Sequence, residues 1–323
     1  MSTARAATAR AAAGRDPDAL IFAAKERWAP IRTICLFSGG ADSGALAHRC
    51  AHHYDELLYV DTGTAVPGVE EHVRAFAALL GKPLTVRRST GVYRTMVLGD
   101  ELWWSRFREA AAKRRRPFGI KEMRAEDRAA GRTTASLFGE APYGFPGKGQ
   151  HAKCYSRLKE RRLEDALREA KQGHPRRAAV LFLSGIRRAE SRRRAGREPF
   201  SERGSAKFCN PLIDWSGAEV TAYRERFELP LSDVAALMHR SGECNCGAFA
   251  QADEERKLLS SLWPSWWERT IGELEAEAES LGIRWCRWGG HDLAGQQAAG
   301  ASKERVGVLC SSCASRSFTG ASS

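Results

Sequence analysis

Short apolar runs and amphipathic segments alternate along the first ninety residues and return later in the chain. The runs of strand length are Ile31–Phe37, Glu56–Asp61, Leu84–Arg88 and Ala178–Leu183. Segments of helical character follow the first two runs, from Asp42 to about His53 and from Glu70 to Leu80. Strands that alternate with helices in this way predict an α/β fold, with a parallel sheet, right-handed crossovers and flanking helices.

Residues 91–150 break this alternation. Trp103, Trp104 and the basic run Lys113–Arg116 lie here among glycines and prolines. We expect an insertion that covers the mouth of the active site and is partly mobile. Basic residues between aromatic residues suit an unpaired nucleotide strand, whose bases stack on the rings. A solvated basic helix with its tryptophans packed inward is equally consistent with the pattern.

The chain beyond residue 240 has helical periodicity and several cysteines. The segments Asp253–Leu262 and Trp266–Leu281 are predicted helices, with Trp263, Trp266 and Trp267 as core residues. We therefore divide the chain into a basic, disordered arm at 1–27, a main domain at 28–240 that includes the insertion, and a Cys-containing helical region at 241–323.

Charge and cysteine content narrow the functional classes. Lys and Arg number 51 against 39 Asp and Glu, so the formal net charge is +12. This excess favours a polyanionic partner, and we expect nucleic acid. No apolar run approaches the roughly 20 residues of a membrane span, so no membrane association is expected. Nine cysteines without a secretion signal indicate a reducing compartment, and we expect a cytoplasmic protein.

A glycine-containing turn follows the first apolar run directly. Ser38, Gly39, Gly40, Asp42 and Ser43 lie between the predicted strand and the predicted helix. This arrangement aims backbone N–H groups and the positive end of a helix, roughly half a charge, at one point. The sequence therefore predicts a phosphate site, with hydroxyl donors from the two serines. Asp42 is expected to cap the helix or to hold Mg²⁺.

Two further polar groups follow predicted strands. The ligands of open parallel sheets bind outside the carboxyl ends of the strands. We therefore expect Asp61, Thr62 and Gly63, after the second run, to face the nucleotide. Arginines just after the fourth run can clamp a transferring phosphoryl group, although a solvated arginine-rich helix is the competing interpretation. The polar residues of this second group are Gly185, Arg187, Glu190, Ser191 and Arg194.

These motifs together resemble those of the phosphoadenosine phosphosulfate (PAPS) reductase family. The first loop resembles the pyrophosphatase loop (PP-loop) of N-type ATP pyrophosphatases. The remaining motifs occur in the family's order: Val60-Asp61-Thr62-Gly63, Cys154-x-x-x-Leu158-Lys159, Gly185-x-Arg187-x-x-Glu190-Ser191-x-x-Arg194 and Asn210-Pro-Leu-Ile-Asp-Trp215. The resemblance covers roughly residues 31 to 235. It implies an adenine nucleotide alpha hydrolase-like sheet in which these loops face one adenylate site.

The cysteine pattern resembles one branch of this family. Cys154 and the pair Cys244 and Cys246 look like those of ATP pyrophosphatases that act in DNA phosphorothioation and hold an iron–sulfur cluster, with [4Fe-4S] expected. One further cysteine of those relatives is missing near the pair, so a fourth thiolate must come from Cys209, Cys310 or Cys313; we choose Cys313. Zinc is the alternative metal, since spacing does not separate the two. Cys286, Cys310 and Cys313, with His291, are an alternative zinc knuckle.

Three functions are consistent with this sequence. The first is an ATP- and Mg²⁺-dependent enzyme that adenylates an acceptor, such as a nucleic-acid phosphate or base, for sulfur transfer with a cysteine desulfurase or sulfur carrier as partner. Asp42, Ser43 and Arg187 are its predicted catalytic residues. The second is a reductase that produces sulfite from PAPS or adenylyl sulfate. That branch carries a C-terminal Glu-Cys-Gly tail, which the printed sequence lacks. The third is a nucleic-acid-binding protein that uses nucleotide only as a switch.

Overall fold

A six-stranded sheet places the sequence motifs at the ends of its strands. The computed structural model describes residues 16–147, 150–191, 194–248 and 252–289. The strands are β1 (Arg32–Leu36), β2 (Glu56–Asp61), β3 (Leu84–Arg88), β4 (Val180–Leu183), β5 (Phe200–Arg203) and β6 (Ala206–Cys209). Their order across the sheet is β3-β2-β1-β4-β6-β5, and every pair is parallel except β5 with β6. The predicted α/β class and parallel sheet are confirmed.

The order of the strands defines where a ligand can bind. The chain runs outward from β1 to β2 and β3, and then returns to place β4 on the other side of β1. Arg32 lies opposite Val180 and Cys35 opposite Leu183, so β1 and β4 end side by side. Their outgoing connections therefore diverge and leave a crevice at the carboxyl edge of the sheet, where ligands of open α/β sheets bind.

Helices flank this sheet and form most of the rest of the described chain. They are α1 (Pro17–Trp28), α2 (Ala41–Arg49), α3 (Val69–Leu79), α4 (Val92–Leu98), α5 (Glu101–Ala112), α6 (Ile120–Ala129), α7 (Ala135–Phe138), α8 (His151–Tyr155), α9 (Arg161–Ala170), α10 (Gly217–Arg226), α11 (Asp233–Met238), α12 (Ala252–Leu262), α13 (Pro264–Trp267) and α14 (Glu273–Ser280). Two π-helical turns, Ser156–Glu160 and Glu268–Gly272, continue α8 and α13. Among the described residues, no helix has the length and apolarity that a bilayer crossing requires.

One face of the sheet is covered by α9. Leu163, Ala166 and Ala170 lie on one side of this helix and pack on Ile34 and Phe182, along with other strand residues. The opposite side of α9 is charged, as its spacing of apolar residues at three and four positions predicts. Burial of this stripe fixes the helix that leads from the π-helical turn to β4.

The described chain divides into two compact units. The sheet unit comprises residues 16–88 and 159–244, and the helical unit comprises residues 89–158 and 245–289. The segment predicted as an insertion thus forms one unit with the C-terminal helices. These units are defined by contacts and have other boundaries than the predicted main domain at 28–240. The predicted domain boundaries stay a prediction.

The predicted disordered arm is wrong for residues 17–27, which form most of α1. Asp16 caps this helix by accepting a hydrogen bond from the Asp18 amide at 3.2 Å, and Pro17 occupies its first turn. Leu20 and Ile21 are buried on one face. This face was not predicted from the sequence, because it spans only three turns and follows a basic segment. Residues 1–15 lie outside the described part of the chain.

The β5–β6 hairpin was not predicted. β5 is largely exposed and polar, and β6 is buried at three of its four positions. Gly204, with a φ of +57°, makes the turn between them. A strand of four residues is too short for the alternation of apolar and polar side chains to distinguish it from a loop.

The tryptophans of the predicted insertion pack inward. Trp103 is 1% exposed, and its indole N–H donates to Asp127 at 3.2 Å. Asp127 also pairs with Arg106. Trp104 is partly buried and donates to the carbonyl oxygen of Leu98 at 2.7 Å. Of the two sequence interpretations, the structure therefore matches the basic helices with inward-packed tryptophans.

Candidate active site

The serine–glycine loop after β1 has the geometry of an anion site. Gly39 has a φ of +78°, a backbone conformation that residues with a side chain rarely adopt. A Cβ on it would lie 3.1 Å from a methyl of Val73. The chain then enters α2 at Ala41 with no side-chain cap at Gly40. The first amides of α2 thus point out of the helix start, where N–H groups attract anions.

Two serine hydroxyls are held together inside this loop. Ser38 Oγ and Ser43 Oγ lie 3.1 Å apart, and Ser43 Oγ also accepts from the Ser38 amide at 3.3 Å. Ser43 Oγ lies 2.9 Å from the carbonyl oxygen of Gly40 and donates to it. Both serines are buried. The sequence-predicted loop residues are therefore brought together, with two hydroxyls oriented by the turn.

A buried arginine lies beside the loop. Arg187 Nη2 is 3.0 Å from Asp42 Oδ2, and Arg187 Nη1 donates to the carbonyl oxygen of Trp215 at 3.3 Å. Arg187 is 5% exposed, and its Nε has no hydrogen-bond partner among the described residues. A buried guanidinium N–H without an acceptor is costly, and an anionic ligand would satisfy it.

Gly185 brings the connection after β4 against the loop. A Cβ on Gly185 would lie 3.2 Å from the Asp42 carbonyl carbon and 3.3 Å from the Ser43 amide nitrogen. Only glycine therefore permits this approach without displacing backbone. The loops after β1 and β4 thus meet at the point where the strand order reverses, as predicted from the two motifs.

A cleft opens beside these residues. Its lining consists of Leu36, Phe37, Ser38, Ser43, Leu58, Val60, Lys159, Ser184, Gly185, Ile186 and Glu243. Apolar strand residues form its walls, and polar groups converge from the loops. Such a combination is typical of small-molecule sites.

Lys159 and Glu243 form a buried ion pair in this lining. Lys159 Nζ lies 2.5 Å from Glu243 Oε1, and both residues are at most 3% exposed. Burial raises the pKa of Glu243, although the neighbouring ammonium opposes the shift. Lys159 lies in the π-helical turn Ser156–Glu160, a type of turn frequent at functional sites. The pair places a charged cation and a carboxylate next to the serine loop.

The residues of the predicted Asp-Thr-Gly group contact other groups of the protein. Thr62 is fully buried and donates to the carbonyl oxygen of Glu243 at 2.6 Å. Asp61 accepts from the Gly63 amide at 2.9 Å and pairs with Arg88 at 2.9 Å. Thr62 therefore fastens the segment that carries Glu243 to the end of β2. The prediction that the three residues contact nucleotide is untested.

The Arg88 guanidinium links Asp61 to a second carboxylate. It donates to Glu70 at 2.6 Å and 2.7 Å, and these bonds hold the pKa of Glu70 down to about 2. Asp61 thus belongs to a partly exposed ion-pair network that joins β2, β3 and α3.

The distal part of the predicted arginine motif forms its own buried contact. Arg194 is 1% exposed and pairs with Glu190. The Arg194 amide donates to the carbonyl oxygen of Ser191 at 2.9 Å. These three residues are not among those that line the cleft, so their predicted contact with nucleotide stays a prediction.

The predicted thiolate ligands are divided between the two units and the undescribed chain. Cys154 and Cys246 are buried cysteines in the helical unit, and Cys244 belongs to the sheet unit. Within the described helical unit, the sulfurs of Cys154, Cys246 and Cys286 do not all lie within 4.8 Å of one another. Cys313 lies outside the described residues, as do the alternatives Cys310 and His291. The predicted cluster ligands therefore stay a prediction.

Cys209, one of the alternative fourth ligands, lies within the sheet. It lies in β6, is fully buried, and burial raises the pKa of its thiol. A desolvated thiol is a poor source of thiolate. Cys209 therefore fits the role of a core residue.

The family model for the phosphoadenosine phosphosulfate reductase domain matches residues 32–241. The chain belongs to this family. The match spans β1 to the residue before Gly242 and so contains the serine loop, Arg187 and Lys159. No curated protein is similar enough in sequence to count as a relative.

Solved structures of three proteins resemble the fold at low identity. PAPS reductase from Candida auris, a phosphate complex, is 15% identical with a TM-score of 0.41, covering 69% of this chain and 85% of that one. The NH₃-dependent NAD synthetase of Campylobacter jejuni is 14% identical with a TM-score of 0.35, covering 82% and 92%. The U34-tRNA thiolase of Methanococcus maripaludis, with its [4Fe-4S] cluster, is 12% identical with a TM-score of 0.31, covering 83% and 80%. The family match alone carries the assignment.

Glu243 and Ser184 are the site residues that sequence reasoning missed. Ser184 Oγ lies 2.5 Å from Asn210 Oδ1 at the end of β4. Ser184 was detectable, because it directly precedes Gly185 after a strand. Glu243 is followed by Cys244 and Cys246, which drew attention to metal binding instead. Lys159 stood in a family motif without an assigned role.

Proposed function

We propose that this member of the PAPS reductase family is an ATP pyrophosphatase that adenylates an acceptor for sulfur transfer, in nucleic-acid sulfur modification such as DNA phosphorothioation. The observation that carries the proposal is the meeting of Ser38, Ser43 and Arg187 at the switch point of the sheet. Two hydroxyls, the first amides of α2 and a buried guanidinium with an unsatisfied N–H converge there. This set of donors suits the polyphosphate of a nucleotide.

The proposed reaction is a displacement at the α-phosphate of ATP. An oxygen of the acceptor forms a bond to the α-phosphorus, and the bond from that phosphorus to the bridging oxygen breaks, releasing pyrophosphate. Ser38, Ser43 and the loop amides stabilise the negative charge that gathers on the leaving group, since they are already oriented. Arg187 neutralises the phosphates from the side of β4.

Magnesium fits the carboxylate beside the loop. Asp42 offers a hard oxygen ligand at the start of α2, and Mg²⁺ is commonly bound by one or two carboxylates plus phosphates. When bound, the ion would offset charge on the polyphosphate. Asp42 now pairs with Arg187. We therefore propose that nucleotide binding replaces this pair, with the guanidinium turning to phosphate and the carboxylate to the ion.

The second half-reaction replaces the activated oxygen. A sulfur nucleophile attacks the adenylated centre, and AMP leaves with the original oxygen. We propose a cysteine desulfurase or a sulfur carrier as the donor of that sulfur. Cys154, Cys244, Cys246 and Cys313 are proposed as thiolate ligands of a [4Fe-4S] cluster, with zinc as the alternative, and no step above depends on them.

The net charge of +12 supports a nucleic-acid acceptor. Basic proteins bind phosphate backbones through counterion release, which makes the affinity depend on salt. The described helical unit contributes the arginines of α5 and α6 to this charge.

A reductase is the second candidate, because the matching family model is that of PAPS reductase. In this reaction PAPS or adenylyl sulfate is cleaved to sulfite, with a thiol as reductant. The same loop would then hold the phosphates of the sulfonucleotide.

Parallel assays separate the candidates. Purified protein is incubated with Mg·ATP and a DNA or RNA acceptor, and pyrophosphate is measured; a second sample receives PAPS and a thiol donor, and sulfite is measured. Pyrophosphate supports the proposal, and sulfite alone would replace it with the reductase. Salt-sensitive binding of nucleic acid without either product would favour a nucleotide-dependent switch.

Variants of the loop test the site itself. Asp42→Ala and Ser43→Ala are expected to abolish pyrophosphate release with an unchanged circular dichroism spectrum. Ser201→Ala, at an exposed position of β5, is the matched control and should keep wild-type turnover. Unchanged turnover in both loop variants would discard this site.

A further inference from the structure

A second cluster of potential ligands lies in the sheet unit, where α1 packs near the end of α2. Asp18 belongs to the first turn of α1, and His52 and His53 follow α2. His53 Nε2 is 2.9 Å and His52 Nε2 is 3.4 Å from the same oxygen, Asp18 Oδ1. These three atoms lie within 4.8 Å of one another, and no other such triad of His, Cys, Asp or Glu occurs among the described residues.

The two imidazoles are oriented by packing. Their ring centroids are 4.0 Å apart, and Phe22 of α1 meets the His53 ring edge-on at 5.0 Å. His53 is buried, whereas the side chain of His52 is 62% exposed. One ligand is therefore fixed in the core, and the open side at His52 leaves room for water.

Arg49 contacts both oxygens of the Asp18 carboxylate. Its Nη2 lies 2.7 Å from Asp18 Oδ2, and its Nη1 lies 3.0 Å from Oδ1. Hydrogen bonds from a neighbouring group fix the orientation of a carboxylate that ligates a metal. The positive charge of Arg49 also opposes a cation, so the affinity should be far below that of a four-cysteine zinc site.

We infer that Asp18 Oδ1, His52 Nε2 and His53 Nε2 bind a divalent ion of the Zn²⁺ class, which joins α1 to the segment after α2. Two imidazoles and one carboxylate form a donor set that Zn²⁺ accepts, with water completing the coordination. The site shares no residue with the nucleotide cleft. Its role is structural: the ion adds a cross-link between the first described helix and the core.

Cobalt(II) provides the direct test, because its spectrum identifies the ligand type. The metal-free full chain is titrated with Co²⁺, and absorption is followed for wild type, His52→Ala and the control His174→Ala, an exposed histidine elsewhere. We expect weak visible bands from one ion at this triad, which add to the sulfur charge-transfer bands of cobalt at the cysteines and are unchanged in His174→Ala. In His52→Ala the affinity should fall by at least about tenfold.

Thermal unfolding gives a second readout. Added Zn²⁺ is expected to raise the Tm of wild type and of His174→Ala by more than it raises that of His52→Ala, since a ligand of the folded state stabilises the fold and the cysteines are the same in all three proteins. His52 is exposed, so its loss should leave the fold intact. Equal cobalt binding by His52→Ala, or cobalt bound only through thiolates, would overturn the inference and leave the triad as a hydrogen-bonded cluster.

Discussion

At the scale of single residues, Gly185 sets the distance between the two loops of the site. The Cβ of an alanine would meet the backbone of Asp42 and Ser43 at 3.2 to 3.3 Å. Backbone cannot move aside as cheaply as a side chain, so the serine loop must shift. The close approach of the loops after β1 and β4 therefore depends on this glycine.

Gly185→Ala is expected to lower pyrophosphate release at least tenfold and to cost about 1–3 kcal/mol of stability, because it overpacks the loop. Gly196→Ala is the matched control: a Cβ there meets nothing within 4 Å, and its effect should stay within about 0.5 kcal/mol. Steady-state rates and urea unfolding measure both. Equal behaviour of the two variants would show that the loops do not meet as described.

Lys159 and Glu243 place opposite charges in a site otherwise lined by hydroxyl and apolar groups. Glu243→Ala removes the carboxylate that the buried ammonium faces, and we expect a loss of about 3–5 kcal/mol. The control is Glu109→Ala, which breaks the exposed pair with Lys113 and should leave the urea midpoint unchanged. A Glu243→Ala midpoint equal to that of wild type would contradict a buried pair.

At the scale of elements, α1 contributes a packed face rather than a solvated arm. Ile21 is fully buried, so Ile21→Ala should cost about 2–5 kcal/mol in urea unfolding. Ile31, just before β1, is 38% exposed, and Ile31→Ala should cost less than about 1 kcal/mol. A similarly small loss of unfolding free energy in both variants would contradict the packed helix and favour the disordered arm predicted from the sequence for residues 17–27.

The elements that local pattern encodes were predictable, and those that depend on distant partners were not. β1 and the serine loop lie within one stretch, where an apolar run, glycines and a helix start are all local signals. The pair of Lys159 and Glu243 joins positions 84 residues apart, so no periodicity marks it. The β5–β6 hairpin likewise takes its strand form from pairing on β4.

At the scale of the whole molecule, the charge of +12 predicts how a nucleic-acid acceptor would bind. If six to ten phosphates are contacted, the affinity for DNA or RNA should fall by about 10³ to 10⁵ between about 50 and 200 mM salt. Fluorescence anisotropy over that range measures the slope. A salt-independent affinity would remove the polyanionic acceptor from the proposal while leaving the nucleotide site untouched.

The direct test of the nucleotide site is a crystal structure of the protein soaked with a non-hydrolysable ATP analogue and Mg²⁺. We predict phosphate oxygens within hydrogen-bond distance of Ser38 Oγ, Ser43 Oγ and the first amides of α2, with Arg187 turned from Asp42 toward them. A bound analogue whose phosphates lie away from this loop, or a loop that stays empty at saturating analogue, would contradict the account.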